Sequence, residues 1–244
     1  MKRLAALLLM LIAGCGAAPV DRPCSTRTFE GSAFTVCRYD PAASELRLAL
    51  DGPSVGLGSL TALKAQLGAD AGRVEFAMNA GMYDTNRRPV GLYVEAGRQL
   101  KPARLCNGPS NFCLAPNGVF WTDARGRPHL DETARYLARG VKPQWATQSG
   151  PLLVQAGRLH PKLSPDGASR FVRNGVGLCQ GKALFAISEG PVSLGRFARF
   201  FRDDLGCQDA LHIDGTVSSL WAPSLNRLDG RTGLGPLIVV LKKP

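Results

Sequence analysis

Ten short runs rich in branched or aromatic residues, closed off by glycine, proline or polar turns, constrain the fold of this chain more than any other feature. They are Phe34–Tyr39, Glu45–Leu50, Arg73–Met78, Gly91–Glu95, Val119–Trp121, Leu152–Gln155, Gly175–Cys179, Ala183–Ser188, Ala210–Asp214 and Leu237–Leu241. Their length and bounding residues predict strands. Three helical patterns interrupt them. The clearest starts at Ser193 as N-cap, places Leu194, Phe197, Ala198, Phe201 and Leu205 on one face, and stops at Gly206. Weaker ones follow Ser59 (Leu60, Leu63, Leu67, then Gly68) and Asp131 (Ala134, Leu137, Ala138, then Gly140). Because helices do not alternate with strands one for one, the pattern predicts an α+β fold: a mixed, largely antiparallel sheet core flanked by a few helices. No repeat or second linker divides residues 24–244, and one core can reach that size, so a single domain is expected.

Ahead of that domain, Lys2 and Arg3 precede an apolar run from Leu4 to Ala13. Charge followed by a short greasy stretch is the layout of a secretory signal, and the run is too short to span a bilayer. It closes in Leu11-Ile12-Ala13-Gly14-Cys15, which resembles the lipobox of bacterial lipoproteins. On that reading residues 1–14 are removed, Cys15 is acylated, and residues 15–23 form a linker to the membrane. The competing reading is an ordinary signal cut near Ala17-Ala18, with Cys15 incidental. Several acyl chains anchor stably where one does not. Gly16 after the cysteine, instead of an acidic residue, resembles the sorting pattern for the outer membrane of a two-membrane cell, which implies its periplasmic face.

Of seven cysteines, Cys15 set aside, six remain: Cys24, Cys37, Cys106, Cys113, Cys179 and Cys207. An even number in an exported chain points to disulfides. Neighbourhood favours Cys24–Cys37, Cys106–Cys113 and Cys179–Cys207, although sequence alone allows fifteen pairings. No C-x-x-C pair occurs and the three histidines are scattered, which argues against zinc. The net charge of +11 falls by two when Lys2 and Arg3 are lost, leaving 11 − 2 = +9. That excess suits anionic partners such as phosphate-bearing glycans or lipid headgroups. The arginines are dispersed, and an exported chain seldom meets nucleic acid, so no nucleic-acid partner is expected.

Several familiar chemistries are excluded by spacing. The glycines of Gly175 to Lys182 fit neither a phosphate loop nor a dinucleotide fingerprint, and Ala183 stands where a phosphate loop needs Ser or Thr. There is no H-E-x-x-H, no G-x-S-x-G around Ser149 and no S-x-x-K.

What remains is a series of polar, glycine-flanked segments at strand ends, where scaffolds present functional groups. They are Met78-Asn79-Ala80-Gly81-Met82-Tyr83, Pro89 to Glu95, Gln148-Ser149-Gly150-Pro151, Arg173-Asn174-Gly175-Val176-Gly177 and Asp214-Gly215-Thr216-Val217-Ser218-Ser219, with Pro116-Asn117-Gly118-Val119-Phe120 between them. In this order and spacing they resemble the phosphodiester glycosidase family, that of the mannose 6-phosphate uncovering enzyme, from about Phe76 to Val240. Thr216 stands where family members often carry a second glycine after the aspartate.

The resemblance implies hydrolysis between a sugar's anomeric carbon and a phosphodiester oxygen. A phosphate leaves readily, so such a site needs less acid assistance than the carboxyl pair of ordinary glycosidases supplies. It needs donors on the phosphate and a carboxylate near the ring carbon. Arg173 fits the first task through its forked donors; Asp214 fits the second, with Glu95 the second candidate carboxylate. Asp214 before glycine is also a common turn former. Asn79, Gly81, Met82, Tyr83, Gln148, Ser149, Gly150, Asn174, Gly215, Ser218 and Ser219 are the substrate-binding candidates. His212, two residues from Asp214 on one strand face, is expected to be a packed or hydrogen-bonded histidine. No cofactor is expected and no residue is assigned to a metal, although oxygens near Asp214 would suit calcium. The competing functional reading is a non-catalytic glycan- or phosphate-binding envelope lipoprotein; a third is a docking scaffold.

Overall fold

The computed structural model describes residues 22–50 and 57–244; the expected signal segment and Cys15 lie outside them. All ten expected strands form, with ends shifted by a few residues. They build three sheets. Seven strands line up as Cys24–Phe29, Ser32–Tyr39, Lys182–Ser188, Asn174–Cys179, Cys207–Asp214, Leu152–Gln155 and Arg158–Leu159. A five-stranded sheet runs Arg98–Lys101, Tyr93–Glu95, Trp145–Ser149, Gly118–Thr122, Pro128–Glu132, and another runs Arg227–Leu228, Leu220–Ala222, Val74–Asn79, Leu237–Lys242, Ser44–Ala49. A two-stranded ribbon pairs Thr232–Leu234 with Gly58–Ser59. Every strand pairing among the described residues is antiparallel.

Side-chain alternation explains how the sheets stack. Phe185, Phe120 and Val240 enter one central core, whereas their chain neighbours Ala186, Val119 and Val239 face outward into three separate clusters. Successive residues of a strand point to opposite faces, so each sheet gives one face to the shared core and needs a cover for the other. A helix supplies part of each cover. Leu194–Arg199, continued by a wider turn over Phe200–Asp204, lays Phe197, Phe200 and Phe201 on the seven-stranded sheet. Leu60–Leu67 lays Leu60 and Leu63 on the third sheet. Thr133–Arg139 brings Tyr136 onto the second. Ser193 and Ser59 each accept an N-terminal amide, from Arg196 and Ala62, and Gly206 and Gly140 adopt the left-handed backbone that ends a helix; Asp131, bound to Trp121 and Arg139, does not cap Thr133–Arg139, which buries Thr133 and Tyr136 while Ala134, Leu137 and Ala138 are exposed.

The three neighbourhood disulfides are those present. Cys24 faces Cys37 and Cys179 faces Cys207 directly across paired strands. Disulfides persist in oxidising compartments, which places this chain outside the cytoplasm. No helix among the described residues is long and apolar enough to cross a membrane. The Cys179–Cys207 bond joins residues 28 apart, and replacing both cysteines by alanine is expected to cost about 2–4 kcal/mol in denaturant midpoint analysis. A loss below about 1 kcal/mol would mean that the sheet already holds those strands without the cross-link.

Candidate active site

The three sheets converge at one set of strand ends. Val74–Asn79 ends in Asn79, Trp145–Ser149 ends in Ser149, and the paired strands Asn174–Cys179 and Cys207–Asp214 set Asn174 opposite Asp214. Amide and hydroxyl side chains lace these ends together. Asn174 Nδ2 donates to the Asn79 carbonyl at 3.0 Å and to Asn79 Oδ1 at 3.1 Å, while its Oδ1 accepts from Asp214 N at 2.9 Å. Asn79 Oδ1 also accepts from Ser219 N at 3.0 Å. Ser149 Oγ donates to the Ile213 carbonyl, and Ser218 Oγ to those of Val172 and Asp214. Buried polar groups must be paired, and these pairs hold the turn after Asp214 against all three sheets.

Asp214 and Arg173 meet at that turn. Asp214 Oδ1 accepts from Gly215 N, from Thr216 N at 2.8 Å and from Thr216 Oγ1 at 3.1 Å. Its Oδ2 takes no hydrogen bond among the described residues. The expected turn-forming role is therefore present on one oxygen and leaves the other for chemistry. Arg173 has no exposed surface. Its Nε donates to the Val192 carbonyl at 2.9 Å and its Nη2 to the Ser169 carbonyl at 2.9 Å. Its Nη1 sits 3.4 Å from His212 Nε2. These partners are neutral, so the cation is fixed without being compensated by a contacting carboxylate. Burial pulls its pKa down to about 10, with Asp214 pushing the other way, and the group stays charged at neutral pH. A Cβ on Gly215 would lie 2.7 Å from Nη1; only glycine lets the turn come this close to the guanidinium.

His212, fully buried, accepts from Arg173 on Nε2 and so carries its proton on Nδ1, which donates to the Gly150 carbonyl at 2.9 Å. Burial, then the Arg173 charge, holds its pKa well below the ordinary histidine value. A neutral imidazole thus orients a guanidinium without neutralising it. Burial likewise lowers His160, elsewhere in the fold. Between its native and ordinary pKa each histidine binds more protons unfolded than folded, so stability rises with pH across that window and is fully present above it. Stability is expected to fall below about pH 6.5 by up to ~1.4 kcal/mol per unit for each histidine. His212→Gln should remove one share of that slope in urea melts at successive pH values; an unchanged slope would show that His212 titrates normally.

Tyr83 borders the turn. Its hydroxyl donates to the Gly233 carbonyl at 2.8 Å, and its pKa is raised by burial and then by the Asp214 charge. Gly81 N donates to Thr147 Oγ1, and the backbone at Gly81 lies so close to Gln148 that a Cβ would meet its carbonyl at 2.3 Å. Met82, between them, is half-buried.

Two sequence expectations are corrected. Glu95 does not join this cluster. It lies on the central-core face of the second sheet with Tyr93, but at the opposite strand end, level with Trp145, four residues and roughly 13 Å along the strand from Ser149. There its Oε1 accepts from Leu50 N and Tyr93 Oη and lines a hollow with Leu48, Gln66 and Trp145. Gln148, taken from the sequence as a substrate contact, has its amide engaged internally: Oε1 accepts from Leu92 N and Arg104 N, and Nε2 donates to the Arg104 carbonyl and Thr133 Oγ1. Phe171, absent from the sequence candidates, stands 44% exposed with the Arg173 guanidinium 5.5 Å above its ring; an exposed aromatic beside a buried cation has no sequence signature. A separate cavity of about 530 Å³, lined by Leu130, Leu152, Arg158 and His160, contains no site candidate. Among the described residues no group of three His, Cys, Asp or Glu side chains is placed to hold a metal.

Comparison with known proteins agrees with this geometry. The family model for phosphodiester glycosidases matches residues 72–239, which span all the polar strand ends described above. The chain belongs to the phosphodiester glycosidase family. Within the curated proteins it is 37% identical to the uncharacterized protein YigE of Escherichia coli (strain K12) over 169 residues, 67% of this chain and 64% of that protein, so it spans less than two thirds of that relative's length. Among solved structures, its phosphodiester glycosidase fold is similar to the catalytic domain of zebrafish N-acetylglucosamine-1-phosphodiester alpha-N-acetylglucosaminidase, auto-inhibited by its pro-peptide. That likeness has a TM-score of 0.63 and 14% identity, covering 90% of this chain and 82% of that one. A putative exported protein of Burkholderia pseudomallei K96243 gives a TM-score of 0.56 at 13% identity, covering 86% of this chain and 74% of the other.

Proposed function

We propose that this protein is an exported, lipid-anchored envelope hydrolase that cleaves the sugar–phosphate glycosidic bond of a sugar-1-phosphodiester. One observation carries the reading: an uncompensated buried guanidinium and a carboxylate with one unengaged oxygen flank the same glycine turn. Arg173 Nη1 would receive the phosphate oxygen on which charge builds as the bond to the anomeric carbon lengthens; positioned donors act most where charge develops. The bonding pair leaves with the phosphate. Asp214 Oδ2 would steady the oxocarbenium-like ring or take a proton from the incoming water, whose oxygen becomes the anomeric hydroxyl. The products are free sugar and a phosphomonoester, and the reaction as written uses no cofactor. Cys15 would tether the domain to the membrane through its acyl groups, with residues 16–23 as the leash.

A panel of sugar-1-phosphodiesters incubated in isotopically labelled water tests this. The label is expected on the anomeric hydroxyl of the released sugar. Label on phosphate would show cleavage at phosphorus and end the glycosidase reading. Unchanged turnover with a chelator present would agree with a cofactor-free step. Incorporation of labelled fatty acid, abolished by Cys15→Ser, tests the anchor.

A further inference from the structure

Phe171 has no task in the hydrolysis just described, yet the chain stitches it to both charged groups of the site. Its backbone pairs with Val192 in an isolated bridge, Phe171 N donating to the Val192 carbonyl at 3.3 Å and Val192 N to the Phe171 carbonyl at 2.9 Å. The same Val192 carbonyl accepts from Arg173 Nε at 2.9 Å, so ring and guanidinium hang from one residue. On the other flank, Ser218 Oγ lies 2.8 Å from the Val172 carbonyl oxygen and 3.1 Å from that of Asp214. That hydroxyl ties the segment from Phe171 to Arg173 to the turn that carries the carboxylate. The guanidinium carbon of Arg173 stands 5.5 Å above the centre of the Phe171 ring, within the reach of a cation–π contact.

Burial separates the two partners. Arg173 has no exposed surface and Phe171 is 44% exposed, so the ring is the solvent side of the contact. Val172, between them, packs on the central core, whereas Phe171 joins none of the four apolar clusters. Exposure alone would mean little, because single apolar side chains are ordinary on a protein surface. Phe171 differs in kind and in place. The other large apolar side chains exposed among the described residues are leucines, Leu100, Leu105, Leu137 and Leu228; Phe171 is aromatic and rests on the buried cation. An aromatic side chain with free surface offers a stacking face to another ring. Every nucleobase presents a flat face that such a side chain can take, and a pyranose presents a face lined by C–H groups.

We infer that Phe171 is a specificity-determining residue: the platform on which a ring-shaped substituent of the phosphate, the sugar or nucleoside of the leaving group, stacks while Arg173 holds the phosphate. The placement of phosphate on Arg173 rests on the hydrolase reading above. The platform adds the class of leaving group. The phosphomonoester released is one whose alcohol carries a ring close to the phosphate, in preference to a simple alkyl ester, which has no face to lay on Phe171.

The test uses the product side of the reaction and needs no turnover. Methyl phosphate, glucose 6-phosphate and uridine monophosphate are titrated calorimetrically into the intact protein and into Phe171→Ala. At least one ring-bearing ester is expected to bind the wild type about tenfold more tightly than methyl phosphate, the scale on which one ring stacked on an aromatic side chain acts. Whichever of the two gains more names the source, sugar or nucleoside. Phe171→Ala should erase that preference and keep its affinity for methyl phosphate within a few-fold, whereas Phe171→Tyr, which retains the ring, should keep the preference. Equal preference in wild type and Phe171→Ala, no preference in the wild type, or no binding of any of the three esters would overturn the platform. A thermal melt guards against misfolding, and Phe171→Leu, which keeps apolar bulk without the flat face, replaces Phe171→Ala if that variant melts early. A ring preference that depends on Phe171, with no turnover of any sugar-1-phosphodiester, would sink the hydrolase reading and leave the platform standing.

Discussion

Asp214→Asn is expected to reduce turnover by about three orders of magnitude while leaving a folded protein, because the substitution separates the residue's two tasks. Asparagine keeps a carbonyl oxygen where Oδ1 accepts from Gly215 N, Thr216 N and Thr216 Oγ1, so the turn survives. The other position changes from a carboxylate oxygen to an amide donor, which can neither take a proton nor steady a cationic ring. Thermal unfolding of the variant should stay within a few degrees of wild type, as expected when less than about 1 kcal/mol is lost. Glu95→Gln is the informative companion, since that carboxylate lies about four residues up a different strand and is expected to retain turnover. Full activity in Asp214→Asn would remove Asp214 from the mechanism and leave it a turn residue only.

The contrast between those two carboxylates shows what a sequence can and cannot disclose here. Strands such as Ala183–Ser188 were legible because period-two burial marks them: Phe185 and Ala186 enter different cores. The helix caps were legible because Ser193 and Gly206 are local devices. The strand Trp145–Ser149 was not read as a strand, although it is the middle of its sheet, because Thr147, Gln148 and Ser149 are polar and buried. Their partners come from distant segments, and periodicity carries no trace of a bond from Gln148 to Arg104. The edge strand Cys24–Phe29 was missed for the opposite reason: Ser25 to Thr28 are all exposed, so no alternation exists to be seen. The same limit governs the site. Of the polar residues grouped from the strand ends, Arg173, Asn174 and Asp214 meet at one turn, whereas Glu95 stands apart from them. Which of them face a ligand and which lace the sheets together depends on long-range contacts, and there Asn79, Gln148 and Ser149 prove to be bound within the protein.

Arg173→Lys is expected to lower kcat/KM by about two to three orders of magnitude, the scale on which single donors to a developing negative charge act. Lysine keeps the charge and loses the fork. The present fork holds itself in place with Nε on Val192 and Nη2 on Ser169, leaving Nη1 against His212 and Gly215. An ammonium cannot anchor to those carbonyls and reach the leaving group together. Stability should also drop, by about 1–3 kcal/mol, because buried acceptors lose their donors, so a fall in activity alone would not identify the cause. Leaving-group dependence does. If Arg173 stabilises the departing phosphate, the loss should appear mainly in kcat, and should shrink for substrates whose phosphate carries an electron-withdrawing substituent, since these need less help to depart. A general loosening of the fold would lower all substrates alike. An equal loss across the series, measured well below the melting temperature, would therefore assign Arg173 to the scaffold and take the leaving-group contact out of the mechanism.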